Sequence, residues 1–62
     1  MTSDMDLNAF LEPGMRVTNP AAPDWGTGQV QSRIDHRITV NFEHAGKVVV
    51  DGRRIALLPV VN

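Results

Sequence analysis

The sequence predicts an all-β chain, a small and strongly bent antiparallel sheet that closes on its own apolar face. Three observations predict it. Gly26 and Gly28 punctuate a turn that leads from Trp25 into a run of alternating character, Gln29 to Ile34. A second such run, Arg37 to Glu43, follows after only Asp35 and His36. A shorter, mainly apolar run, Lys47 to Val50, lies beyond His44-Ala45-Gly46. Apolar and polar residues alternating with period two mark a strand with one buried face, and short turns between such runs set strands side by side as hairpins.

Taken in order, residues 1–12 read as a separate N-terminal arm or short helix, and 13–62 as the barrel. Ser3 or Asp4 is placed to cap a helix whose Leu7, Phe10 and Leu11 share one face, and Pro13-Gly14 stops it. Met15 and Val17 then alternate with Arg16 and Thr18 as a first strand with its apolar side inward. Pro20 and Pro23 forbid its continuation through residues 19–24, since each fixes φ and removes a ladder donor. Gly28 to Ile34 forms the second strand, with Val30 and Ile34 expected inward and Gln29, Gln31 and Arg33 outward. Asp35-His36 is a tight turn. Arg37 to Glu43 is the third strand, with Ile38, Val40 and Phe42 inward and Thr39 and Asn41 outward.

His44-Ala45-Gly46 has the length and glycine position of a three-residue hairpin loop, the last residue being left-handed and forming a bulge. Lys47 to Val50 is the fourth strand, broken by Asp51-Gly52-Arg53-Arg54. Ile55 to Val61 is the last, with Pro59 tolerable at an edge or a closure. Five short strands in about fifty residues suit an SH3-like or Tudor-like barrel.

The chain has 62 residues, enough for one domain. A domain this small buries only about 60% of the surface its unfolded chain exposes, so its stability is modest. Cysteine is absent, which removes disulfides and thiolate metal sites and favours a reducing, cytoplasmic setting. No segment approaches the roughly 20 apolar residues of a membrane span, so no membrane partner is expected. The net charge is -1. Residues 1–12 hold Asp4, Asp6 and Glu12 without a basic residue, whereas 13–62 hold six basic and four acidic residues. That balance is far from the strongly basic face of most nucleic-acid binders.

Several segments together resemble a family of small bacterial proteins known only as a domain of unknown function. They are Leu11-Glu12-Pro13-Gly14-Met15-Arg16-Val17, Pro23-Asp24-Trp25-Gly26-Thr27-Gly28-Gln29-Val30 and Val40-Asn41-Phe42-Glu43-His44-Ala45-Gly46-Lys47. More distantly, the order Gly-x-Arg-Val, Trp-Gly-x-Gly-x-Val, Val-x-Phe-x-x-x-Gly is similar to the Tudor-like C-terminal extension of UvrD- and PcrA-type repair helicases. It is also similar to the RNA-polymerase-interaction domains of CarD-type regulators and of the transcription-repair coupling factor. That resemblance implies docking on RNA polymerase or the DNA-repair machinery, partly through exposed strand edges.

No enzyme is expected. Gly26 and Gly28 lack the long glycine pattern, lysine and helix of a phosphate loop and are read as bend and bulge. Three aromatics and no tyrosine fall short of a methyl-lysine cage. His36 and His44 fall at opposite ends of one strand, too far apart to share a metal, and Ser3 and Ser32 have no base beside them. No catalytic, metal or cofactor residue is therefore predicted. The candidate partner-binding residues are Trp25, Gln29, Gln31, Arg33, Arg37 and Asn41, with Trp25 as apolar anchor or as a lid on the core. Arg53 and Arg54 are candidate phosphate contacts in a rival reading as a nucleic-acid-binding barrel. The expected oligomeric state is a monomer or a weak homodimer joined through a strand edge.

Overall fold

Ile38, Val40 and Phe42 alternate with polar neighbours, and that alternation organises the whole molecule. The computed structural model describes residues 11–60. Arg16–Thr18 forms β1, Gly28–Ile34 β2, Arg37–Phe42 β3, Gly46–Asp51 β4 and Leu58–Pro59 β5. All neighbours pair antiparallel in one sheet of order β4-β3-β2-β1-β5. Among the described residues the pairing leaves the sheet open, with β4 and β5 at its edges.

The inner face carries Val17, Val30, Ile38, Val40, Phe42 and Val50, all buried, joined by Leu11 and Leu57 from the flanking segments. No second sheet or α-helix is present among the described residues to cover that face. Partly buried Met15, Trp25, Val48 and Ile55 pack against this cluster. Full burial of side chains such as these contributes about 1.5–3 kcal/mol each, the main source of stability in so small a body.

β2 departs from strict alternation. Val30 pairs with Val40 but Ser32, not Gln31, pairs with Thr39, so Gln31 is the extra residue of a bulge. A bulge bends its strand and raises the local twist, which is what a single curling sheet needs. It also reverses the faces beyond it. Arg33 now lies opposite inward-facing Ile38, and Ile34 lies opposite Arg37 on the outer face, 67% exposed. The expectation that Ile34 points inward is thus corrected, and Arg33, exposed as expected, falls in register with Ile38 and not on the outer rows. Arg33 Nε donates to the Leu11 carbonyl at 3.2 Å, clasping the segment before β1 onto the inner side.

Other boundaries move for local reasons. One turn of 3-10 helix, Pro23–Trp25, stands within the loop after β1. The loop starts on Asn19, 3% exposed, whose Oδ1 accepts from the Ala21 N–H at 3.0 Å. The β2–β3 turn holds Asp35 at φ 54°, a conformation that aspartate tolerates better than most residues. Gly46 is left-handed, φ 79°, and sits opposite Phe42, so the expected hairpin is present with strand ends shifted by one residue. Of the strand expected from Ile55 to Val61, whose last residue lies outside the described residues, only Leu58–Pro59 forms β5. The Arg54 and Ile55 N–H groups both donate to the Asp51 carbonyl at 3.0 Å, closing a turn, and Leu57 drops into the core. Only Leu58 and Pro59 align with Thr18 and Val17.

The helix expected near the N-terminus lies outside the described residues, apart from Leu11 and Glu12, which are in no regular element. No helix among the described residues is long and apolar enough to cross a membrane.

Candidate interaction surface

Register places the outer face as cross-strand rows. Arg16, Gln29, Asn41 and Lys47 stand side by side from β1 to β4. Ser32, Thr39 and Val49 make the next row, and Ile34, Arg37 and Asp51 the one beyond it. Val49 is 59% exposed. The result is a mixed face on which two apolar β-branched side chains stand in water, with the Arg37 stem among their neighbours.

Two open grooves flank this face. One, of about 410 Å³, is lined by Arg16, Gln29, Asn41, Thr27, Glu43 and Val60. There the Glu43 carboxylate accepts from the Thr27 N–H at 3.2 Å, which leaves an acidic group beside Arg16 and tempers its positive character. The second, of about 430 Å³, lies along the β4 edge and the β2–β3 turn, between Asp35, Arg37, Val49, Asp51 and Arg53.

Trp25 belongs elsewhere. Its carbonyl accepts from the His44 N–H at 3.0 Å, and the Glu43 N–H donates to the Thr27 carbonyl at 2.9 Å, so the loop before β2 is zipped to the end of β3. The half-buried indole meets the Phe42 ring edge-on, centroids 5.2 Å apart at 62°. Such pairs contribute about 0.5–1.5 kcal/mol beyond burial. Gly26 and Gly28 make this end possible. Gly26 bends the chain at φ 81°, and a Cβ on Gly28 would come within 2.5 Å of Val40 Cγ1 and 2.6 Å of Phe42 Cδ1. The reading of these glycines as bend and bulge is half corrected: Gly26 is the bend, Gly28 is a close approach, and the bulge falls at Gln31.

The structure thus divides the six sequence-derived candidates. Gln29 and Asn41 face each other across β2 and β3. Arg37 is on the same face at the far end of β3, and exposed Gln31 is on the bulge. Trp25 packs against inward-facing Phe42, and Arg33 reaches Leu11. Arg53 and Arg54 are exposed on the turn after β4, where the Asp51 carboxylate accepts from the Arg53 N–H at 3.0 Å and stands 3.8 Å from Arg54 Nε. His36 and His44 flank the two ends of β3.

The sequence pattern of a family described as Protein of unknown function (DUF3553) matches residues 11–60, a span that takes in all five strands. The chain belongs to the DUF3553 family. No curated protein and no solved structure matches it. In this DUF3553 chain, sequence reasoning missed Arg16, Lys47, Val49 and outward Ile34 as parts of one surface. A signal for Val49 existed. Once Gly46 is set opposite Phe42, counting back along the hairpin puts Val49 beside outward Thr39. Nothing comparable marked the extra residue at Gln31.

Proposed function

We propose that this DUF3553 chain is a non-catalytic protein-interaction module that docks through the outer face of its sheet. The observation that carries the reading is the pair Ile34 and Val49, 67% and 59% exposed, set among Arg37, Thr39 and Asn41. Core side chains of this type are scarce in so small a domain, and apolar groups framed by arginine and amides are the make-up of a protein-binding patch. The strand order and the bent second strand support an SH3-like or Tudor-like barrel. The resemblance to helicase extensions and CarD-type domains supports RNA polymerase or a DNA-repair factor as the partner, in the cytoplasm. In this reading Ile34 is the apolar anchor, Arg37, Gln29 and Asn41 supply polar contacts and register, and Trp25 holds the loop on Phe42.

The test is capture from bacterial extract, followed by direct binding to purified RNA polymerase. Wild type retains a polymerase or repair protein, while Ile34→Glu, folded as judged by its melting curve, loses at least tenfold in affinity. Equal retention by both removes the outer face from the proposal, and capture of neither class removes the setting. The row Arg16, Gln29, Asn41 and Lys47 supports a second reading, contact with a phosphate backbone. That reading requires DNA or RNA affinity that falls steeply with salt. Two cations with Glu43 beside the groove, and Arg53 and Arg54 on the turn at the other end of β4, make it the weaker one.

A further inference from the structure

The two edges of the sheet are unlike. β5 is two residues long and includes Pro59, which has no N–H to offer, so that edge is poorly suited to another strand. β4 spans six residues, Gly46–Asp51, and pairs with β3 without a register shift. No described strand lies on its other side.

The hydrogen-bond phase along β4 is fixed by Gly52, whose N–H donates to the His36 carbonyl at 2.6 Å. His36 and Gly52 therefore head a series of bonded pairs that continues through Ile38 with Val50, Val40 with Val48 and Phe42 with Gly46. Bonded and non-bonded pairs alternate along an antiparallel ladder. Lys47, Val49 and Asp51 accordingly turn their main-chain groups to the open edge, and their side chains share the outer face. The Asp51 carbonyl is already engaged by Arg54 and Ile55, while its N–H points outward.

We propose that the β4 edge pairs antiparallel with the β4 edge of a second copy, about a twofold axis at Val49. Main-chain phase allows Lys47, Val49 and Asp51 to face only one another. With the axis at Val49, Lys47 faces Asp51 of the second copy at both ends, and Val49 meets its own counterpart. Shifting the axis to Val48 or Val50 sets Lys47 or Asp51 against valine and forfeits both charge pairs. The segment Lys47-Val48-Val49-Val50-Asp51 is thus complementary to itself read backwards. On the inner side, half-buried Val48 meets Val50 of the second copy. Pairing joins the two outer faces into one continuous sheet surface, and the short edge places the contact at the small end of interface sizes.

Sedimentation across a dilution series from micromolar to millimolar tests the proposal. Wild type passes from the mass of one chain toward that of two. Lys47→Glu and Asp51→Lys each place like charges at both ends of the contact and raise the dissociation constant about tenfold. Their equimolar mixture restores association, because each new charge then faces its opposite. Asp51→Lys gives up the contact with the Arg53 N–H, so Val49→Lys is the second arm: it alters a side chain already in water and sets two lysines across the axis. A single-chain mass for wild type throughout, or variants that associate as wild type does, overturns the proposal.

Discussion

Phe42 is the residue on which the others converge. It closes β3 against Gly46, makes a T-shaped contact with Trp25 and lies over Gly28, which is bare of a side chain where one would collide. Gly28→Ala is expected to lower stability by about 1–3 kcal/mol through overpacking, and Phe42→Ala by about 3–5 kcal/mol through the cavity left behind. A domain of this size holds only about 3–9 kcal/mol in total, so urea titration of Phe42→Ala shows a broad or absent transition. Ile34 gives the opposite result. Its side chain stands in water, and Ile34→Glu changes the unfolding free energy from urea titration by no more than about 0.5 kcal/mol, although alternation counted from Val30 would make it a core residue.

Among the elements, β2 shows what could and could not be read in advance. Its limits, Gly28 to Ile34, follow from a glycine turn on one side and Asp35-His36 on the other, and its first half obeys alternation. Gln31 breaks the count because a polar residue between Val30 and Ser32 looks the same in a regular strand and in a bulge; only pairing with Val40 and Thr39 tells them apart. The candidate surface was legible to the same extent, with Gln29 and Asn41 found before the bulge and Arg33 misplaced beyond it. β5 was overread for a different reason: apolar Ile55 and Leu57 look like strand but serve the turn and the core. Arg33 now has a structural task, holding the Leu11 carbonyl. Arg33→Ala is expected to cost about 1 kcal/mol and to speed amide exchange at Gly14 and Met15, whereas Arg37→Ala leaves those amides unchanged.

For the molecule as a whole, association and stability are linked. A contact made only by folded chains stabilises them by mass action, so the wild-type melting temperature rises with protein concentration and that of Lys47→Glu rises only at about tenfold higher concentration. Calorimetry at two concentrations distinguishes them. The order β4-β3-β2-β1-β5 carries one more consequence, for the time at which the chain becomes complete. Every pairing but one joins sequence neighbours and closes within a hairpin or a single loop; β1 must wait for Leu58 and Pro59, from the far end of the sequence. Local contacts form early and distant ones late. During synthesis β1 therefore keeps an unsatisfied flank until Val60 has left the ribosome and its N–H can reach the Arg16 carbonyl, so a stalled nascent chain offers chaperones a strand that the finished protein conceals.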